Sequence, residues 1–318
     1  MSGLTRAVTG VALAGLGALA WGYAEARFGF VVRHATLQTR VREPLRILHI
    51  SDLHLTHRDT AQIEFVRSLA RLEPDFVALT GDNLGGARGL PVTLNALAPL
   101  LARPGAFVFG SNDYFGPTLK NPLGYLNPRR TRGHRTAPDL PYRELANGLA
   151  SKGWVDLNNG RSRLSISGMD VSLVGVNDPH VDFDHYPEPD DDRGDLRLAL
   201  IHAPYQRVLN AAWKDGVDLA LSGHTHGGQV CVPFFGALTN NADIPLWRAS
   251  GLQGWPGLRP DGRVIEPMRA LSPARCADLT GELDPMWLNV SAGLGTSPTA
   301  PVRFACRPEV SLLTLLPV

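Results

Sequence analysis

The chain has few cysteines and almost no net charge, and both features exclude classes of protein. Its three cysteines, Cys231, Cys276 and Cys306, are widely spaced and include no Cys-x-x-Cys pair. The spacing therefore indicates neither a disulfide framework nor a cysteine-based zinc site. Lysine and arginine number 31 against 30 aspartates and glutamates, so no bulk charge attracts nucleic acid, and no nucleic-acid partner is expected.

Charge is also missing from residues 7–23 near the N-terminus. The length of this apolar stretch lies at the lower end of what spans a bilayer, and Trp21 and Tyr23 stand at one end, where interfacial aromatic side chains often lie. We interpret it as an uncleaved membrane anchor; the alternatives are a cleaved signal peptide and a buried helix. Residues 24–44 are expected to form a stalk, so that residues 1–44 make up an anchor and stalk.

More arginines follow the anchor than precede it. Arg6 stands before it, and after it come Arg27, Arg33, Arg40 and Arg42. The positive-inside rule then favours the cytoplasm for the rest of the chain, and the lack of paired cysteines agrees with that side.

From residue 45 onward, apolar runs typical of strands alternate with segments of helical spacing. Strands are expected at 45–50, 75–80, 106–109, 171–176, 196–201, 217–222, 228–232, 286–291 and 311–316, and helices at 60–72, 91–103 and 204–214. This alternation predicts parallel strands joined by right-handed crossovers. A basic insertion at 116–143 and a Gly-, Pro- and Arg-rich excursion at 236–285 interrupt it. The insertion is either a solvated surface loop or a rim for a phosphate-bearing or membrane-surface ligand.

Side chains suited to metal binding follow five of the apolar runs. They are Asp52 and His54, Asp82, Asn112 and Asp113, His202, and His224 and His226. Because open α/β sheets build their sites at the carboxyl ends of strands, we expect these side chains to converge. They offer about seven oxygen and nitrogen ligands, enough for two metal ions. Asp82 is the natural bridging ligand, since one carboxylate can span two cations.

The order of these motifs resembles that of the calcineurin-like metallophosphoesterases, particularly their membrane-anchored bacterial branch. The similarity covers residues 45–318, and the sequence Gly-His-Thr-His-Gly-Gly-Gln at 223–229 is highly specific. The resemblance implies an α/β fold, a four-layer αββα sandwich with two central mixed β-sheets. It assigns Asp52, His54, Asp82 and His226 to one metal ion, and Asp82, Asn112, His202 and His224 to the other. The mixed ligand set favours Mn²⁺, Fe or Zn²⁺.

The third motif departs from the family pattern, which is Gly-Asn-His followed by Asp or Glu. A gap-free match places Ser111 at the ligand position and Asn112 at the catalytic histidine, whereas a one-residue shift keeps Asn112 as ligand and places Asp113 at the histidine. The shift is favoured because an amide oxygen suits a hard cation better than a hydroxyl does. A general acid contributes about 10²–10⁴-fold, and Asp113, His57 and His180 are the candidates to replace the histidine.

The expected activity is that of a metal-dependent phosphoric ester hydrolase acting near a membrane, with attack by a metal-bridged hydroxide. One alternative is hydrolysis of a lipid-linked pyrophosphate, as in the similar UDP-diacylglucosamine hydrolases. Another is a metal-bound scaffold with little turnover.

Overall fold

The structure is a computed structural model that describes residues 3–117, 137–257, 259, 285–296 and 300–318. Most of the basic insertion predicted at 116–143 therefore lies outside the described residues. The same is true of the second half of the excursion predicted at 236–285.

Within the described residues, twelve of fourteen strands form two large sheets. The strands are β1 Val31–Thr39, β2 Leu45–Ile50, β3 Phe76–Leu79, β4 Gly105–Phe107, β5 Val155–Asp156, β6 Gly160–Ile166, β7 Met169–Val176, β8 Leu196–Ile201, β9 Leu219–Ser222, β10 Cys231–Val232, β11 Gly236–Ala237, β12 Gly251–Trp255, β13 Met286–Val290 and β14 Glu309–Pro317. The helices are α1 Gly3–Phe28, α2 Thr60–Ser68, α3 Gly89–Leu97, α4 Ser111–Tyr114, α5 Tyr142–Ala150 and α6 Gln206–Lys214.

Both large sheets are mixed, and each contains four parallel strands that end at the same edge. The first sheet has the order β1-β14-β2-β3-β4-β5, in which β2 to β5 are parallel. The second has the order β12-β13-β9-β8-β7-β6, in which β13, β9, β8 and β7 are parallel. The predicted fold class, an α/β fold with two central mixed sheets, is confirmed.

The layers follow from alternating burial along the strands. In β8, Leu196, Leu198 and Leu200 join the core between the two sheets. Ala199 and Ile201 point the other way, into the core beneath α6. The outer face of the first sheet packs in the same manner under α2, α3 and α5. Each sheet therefore packs one face against the other sheet and its outer face against helices. The result is four layers in the order helix, sheet, sheet, helix.

The structure differs from the expectation of a stalk over residues 24–44. β1 pairs in parallel with β14 from Val31 to Thr39 and forms one edge of the first sheet. Leu37 and Val41 enter the core between the sheets. Two residues therefore separate the folded domain from the end of α1.

A buried hydrogen-bond network joins the two sheets near the carboxyl ends of their parallel strands. Asn289 of β13 donates to Nδ1 of His49 in β2, at 2.8 Å. His49 Nε2 lies 2.9 Å from Thr80 Oγ1, just beyond β3. Because Nδ1 accepts, Nε2 carries the proton and donates to Thr80, so the ring is neutral. Burial lowers the pKa of His49 to about 3.

This network predicts a pH dependence of stability. The pKa of His49 falls from 6.5 to about 3 on folding, so below about pH 6.5 the unfolded chain binds a proton that the folded chain does not. Stability should therefore decrease as the pH falls through this range. In His49→Gln, which keeps a donor toward Thr80, the slope should be smaller by up to about 1.4 kcal/mol per pH unit. Urea unfolding of both metal-free proteins measures it, and identical slopes would contradict the assignment.

Candidate metal centre

The candidate ligands lie at the edge where the parallel strands of both sheets end. Asp52 and His54 follow β2, Asp82 follows β3, His202 follows β8, and His224 and His226 follow β9. They form two groups, Asp52 with His54 and His226, and Asp82 with His202 and His224. Within each group the ligand atoms all lie within 4.8 Å of one another. The convergence expected from the strand ends is therefore present.

Five of these six residues adopt the left-handed backbone region, which non-glycine residues seldom enter. The φ angles are 52° for Asp52, 43° for His54, 54° for Asp82, 67° for His224 and 50° for His226. Such conformations cost on the order of 1–3 kcal/mol each and persist where the surroundings enforce them. Here backbone bonds enforce them: Asp52 N donates to Gly81 O and His54 N donates to Asp82 O, both at 2.9 Å.

The first group brings ring nitrogens and carboxylate oxygens face to face. Nε2 of His54 lies 3.3 Å from Nε2 of His226 and 3.5 Å from Oδ2 of Asp82. Nε2 of His226 lies 3.8 Å from Oδ1 of Asp52. These nitrogen and oxygen atoms lie close to one another around a common point. A divalent cation at that point could be coordinated by all of them, so the residues present fit a divalent metal.

The second group shows the same fit through one orphaned atom. His202 Nδ1 donates to the Thr80 carbonyl at 2.6 Å, which leaves Nε2 facing the site. Nε2 is buried without a hydrogen-bond partner and lies 3.6 Å from Oδ1 of Asp82. His224 donates through Nε2 to the Asn241 carbonyl at 3.3 Å, which leaves its Nδ1 for the site. Asp82 offers one oxygen to each group.

The surrounding residues hold these ligands in place. Ser51 donates to Asp52 Oδ2 at 2.6 Å, and the His224 amide donates to both Asp52 oxygens at 3.0 and 3.1 Å. The buried guanidinium of Arg303 donates to the carbonyls of Ala292 and Gly295, and its Nη2 lies 3.2 Å from Nδ1 of His226. These contacts orient the rings toward the cluster.

The family model described as calcineurin-like phosphoesterase matches residues 45–228, more than half of the chain. The chain belongs to this family. The family uses two divalent metal ions, which agrees with the two groups of ligands.

The protein YpbG of Bacillus subtilis (strain 168) is 29% identical over 221 residues, which cover 67% of this chain and 74% of YpbG. A transmembrane protein with metallophosphoesterase domain from Bos taurus is 28% identical over 199 residues, 58% of this chain and 41% of that protein. The crystal structure of TT1561 of Thermus thermophilus aligns at a TM-score of 0.39 with 16% identity, covering 79% of this chain and 90% of that chain.

Burial removes the ionisable side chains of this site from water and shifts their pKa values. Burial raises the pKa of Asp52 to about 7. Burial acts in the same direction on Asp82, but the neighbouring His202, His54 and His224 outweigh it and lower the pKa of Asp82. Burial, followed by positive neighbours, lowers the pKa of His224 and His226, so both rings are neutral, as metal ligands must be.

Two glycines let the motifs approach one another. A Cβ atom on Gly110 would lie 2.3 Å from Oδ1 of Asp82 and 2.4 Å from Nε2 of His202. A Cβ atom on Gly223 would lie 1.8 Å from Ser51 Oγ. Any side chain at these positions would displace the ligands, which explains why glycine precedes both motifs.

The third motif, which departs from the family pattern, contacts the carboxylate of Asp82. Asn112 donates its backbone amide to Oδ1 of Asp82 at 2.8 Å and its side-chain amide to Oδ2 at 2.7 Å. Ser111 instead donates its backbone amide to Asp178 at 2.8 Å. The side chain of Asn112 therefore reaches the site. Asp178 is fully buried, with an oxygen 3.8 Å from His202 Nε2, and it is a site residue that was not predicted from the sequence.

Asp113 points away from the clusters, into the backbone of the neighbouring motifs. Its carboxylate accepts hydrogen bonds from the amides of Asp82 at 2.9 Å, Asn83 at 2.8 Å and Gly110 at 3.0 Å. Burial raises the pKa of Asp113 to about 7. These are the contacts of a positioning residue, and the role of Asp113 as general acid stays a prediction.

The other two candidate acids lie beside the site. The ring of His180 lies 4.4 Å from that of His224, between centroids, and its Nδ1 is 3.2 Å from the hydroxyl of Tyr205. His57 lines the cavity that reaches His54.

Replacing Asp113 distinguishes the two roles. In Asp113→Asn one acceptor becomes a donor facing backbone amides, so a positioning role predicts a loss of metal affinity of about 10–100-fold. A general-acid role predicts unchanged metal affinity and slower turnover only of substrates with poor leaving groups. Metal titration by calorimetry, together with rates on aryl and alkyl esters, separates these outcomes. Full metal affinity in the variant would contradict the positioning role.

Proposed function

We propose that the protein is a dinuclear metal-dependent phosphoesterase that hydrolyses a phosphate ester next to a membrane. The observation that carries the proposal is the Asp82 carboxylate, which presents one oxygen to each of two buried groups of metal-binding side chains. Such a bridge is the arrangement that two-metal hydrolysis requires.

The ligands divide between two cations that share Asp82. Asp52, His54 and His226 complete one site, and His202, His224 and Asn112 complete the other. The mixture of imidazole nitrogen and carboxylate oxygen favours Mn²⁺, Fe or Zn²⁺ over Mg²⁺. When bound, the two ions supply a hydroxide nucleophile and neutralise charge on the phosphoryl oxygens.

The chain's own groups do the rest of the work. Asp82 holds the two sites at a fixed separation, and Asn112 contacts both of its oxygens. His180, whose ring lies 4.4 Å from that of His224, and His57, which lines the cavity that reaches His54, are our candidates to protonate a leaving group in place of the family's histidine. Asn112 is retained as a ligand rather than as the counterpart of that histidine, for the reason of ligand chemistry given above.

The membrane part of the proposal rests on α1. Thr5–Phe28 is long and apolar enough to cross a membrane, and only 6% of its most apolar stretch is buried within the protein. An exposed helix of this kind has its apolar surface available to lipid. We retain the cytoplasmic side for the folded domain, on the arginine asymmetry.

Metal loading and turnover test the function together. The full chain in detergent should bind two transition-metal ions by elemental analysis and hydrolyse bis-p-nitrophenyl phosphate with Mn²⁺. Asp82→Ala should lower the rate by more than about 10³-fold, since both ions act on one hydroxide. The matched control is Asp191→Ala, an exposed aspartate in the loop before β8. Near-normal activity of Asp82→Ala, or no bound transition metal in the wild type, would refute the proposal.

Two variants of Asn112 decide its role. If Asn112 is a ligand, Asn112→Ala should weaken occupancy of the second metal, and Asn112→His should disturb the site. If Asn112 occupies the position of the family's histidine, Asn112→Ala should keep both metals, and Asn112→His should raise activity on poor leaving groups. We expect the first result, and full two-metal occupancy in Asn112→Ala would overturn it.

A further inference from the structure

A cavity of about 520 Å³ lies between the C-terminal end of α1 and the first group of ligands. α1 contributes Ala26 and Arg27, and the metal centre contributes His54. The loops after β2 and β3 contribute Arg58 and Arg88. One continuous space therefore extends from the apolar helix to a residue of the candidate metal centre.

The lining of this cavity is basic. Within the described residues, the exposed guanidinium groups of Arg58 and Arg88 form no ion pair or hydrogen bond. Arg27 pairs through Nη1 with Asp59, while its Nε is buried without a hydrogen-bond partner. Asp59, which Arg27 already neutralises, is the only acidic residue among the described lining residues. Guanidinium groups arranged in this way suit a phosphate dianion or diester.

The height of the cavity relative to a bilayer follows from the sequence of α1. The uncharged stretch of the helix ends at Ala24, and Glu25 and Arg27 follow. At a rise of about 1.5 Å per residue, Ala26 and Arg27 lie about 3–5 Å beyond the apolar segment. The headgroup layer on each side of a bilayer is about 5–7 Å thick. With α1 in a membrane, the cavity is level with the headgroups.

A second apolar element stands next to α1 at the same edge. β10 and β11 form a hairpin whose tip exposes Phe234 by 78% and Phe235 by 65%. Cys231 of this hairpin donates its amide to the Phe304 carbonyl at 2.9 Å.

The segment that carries Phe304 also contacts α1. The neighbouring Arg303 donates its amide to the Gly22 carbonyl at 2.9 Å, and Cys306 donates its amide to Glu25 at 2.7 Å. Gly22 and Glu25 flank the end of the uncharged stretch of the helix. The base of the hairpin is therefore connected to the end of α1 through residues 303–306. A bilayer that holds α1 would then reach the exposed hairpin tip as well.

From these positions we infer that the metal-centre edge faces the membrane, and that the basic cavity binds the phosphate group of an ester carried by a lipid. The lipid's chains would lie beside α1 and the hairpin, and its phosphate would reach past Arg27, Arg58 and Arg88 toward His54. This inference rests on the proposed phosphoesterase function and names the class of its substrate.

The first test compares a lipid phosphate with its soluble headgroup. The full chain is reconstituted with Mn²⁺ in phosphatidylcholine vesicles that contain phosphatidic acid, and glycerol 3-phosphate is added to a parallel sample. Phosphatidic acid should be hydrolysed, or should inhibit hydrolysis of bis-p-nitrophenyl phosphate, at a concentration at least about tenfold lower than glycerol 3-phosphate, because the lipid is confined beside the cavity. Equal potency of the two compounds would overturn the inference.

Variants of the cavity test whether its arginines contact the phosphate. The double variant Arg58→Gln/Arg88→Gln should reduce the potency of phosphatidic acid by about tenfold or more, since charge-assisted contacts are lost. The matched control is Arg71→Gln, an exposed arginine beyond α2 at the opposite edge of the first sheet. Unchanged potency in the double variant would show that the cavity does not bind the lipid phosphate.

The hairpin provides a separate test of orientation. Phe234→Ser/Phe235→Ser should slow hydrolysis of the lipid, or weaken inhibition by it, and leave hydrolysis of bis-p-nitrophenyl phosphate unchanged. Val318→Ser, an exposed apolar residue at the far end of β14, is the control. An equal response of the double variant and the wild type to the lipid would refute the proposal that the hairpin faces the membrane. Hydrolysis of the soluble diester by the wild type, without any response to phosphatidic acid, would refute this inference alone, and no hydrolysis at all would refute the phosphoesterase function.

Discussion

The Asp82 carboxylate is the constraint on which the rest of the site depends. Its two oxygens face imidazoles from two different segments, at 3.5 Å for His54 and 3.6 Å for His202. The Asn112 side chain holds one oxygen, and the backbone of Asp82 is held by Asp113 and paired with His54. Strain in the backbone of the ligand turns is tolerated because these contacts over-determine the position of one buried group.

Hydrogen bonds connect the core between the two sheets with the candidate metal centre. Thr80 accepts from His49 through its hydroxyl and from His202 through its carbonyl. The same residue therefore closes the network between the sheets and selects the tautomer of a candidate ligand. Metal geometry and packing of the two sheets share this element, so a change in one is transmitted to the other.

Much of this was readable from the sequence, for physical reasons that also explain the failures. The expected strands at 45–50 and 196–201 match β2 and β8 to the residue, because strands buried on both faces are rich in apolar residues over their whole length. β1 and β6 lie at sheet edges with alternating or polar faces, so the sequence pattern of β1 resembles a stalk and that of β6 does not indicate a strand. The candidate ligands were found because each follows a buried strand directly. Arg303 was not, since it stands 77 residues from the His226 ring that it orients and no local pattern links them.

The direct passage from α1 to β1 has a consequence for motion. Only Gly29 and Phe30 separate the end of the helix from a strand that is paired along its whole length. With α1 in a membrane, the domain has no tether on which to swing or rotate, and its diffusion is that of the helix in the plane of the bilayer. Encounters with a partner in the same leaflet then become a two-dimensional search with one orientation already correct, whereas a solute from bulk water must enter at the interface.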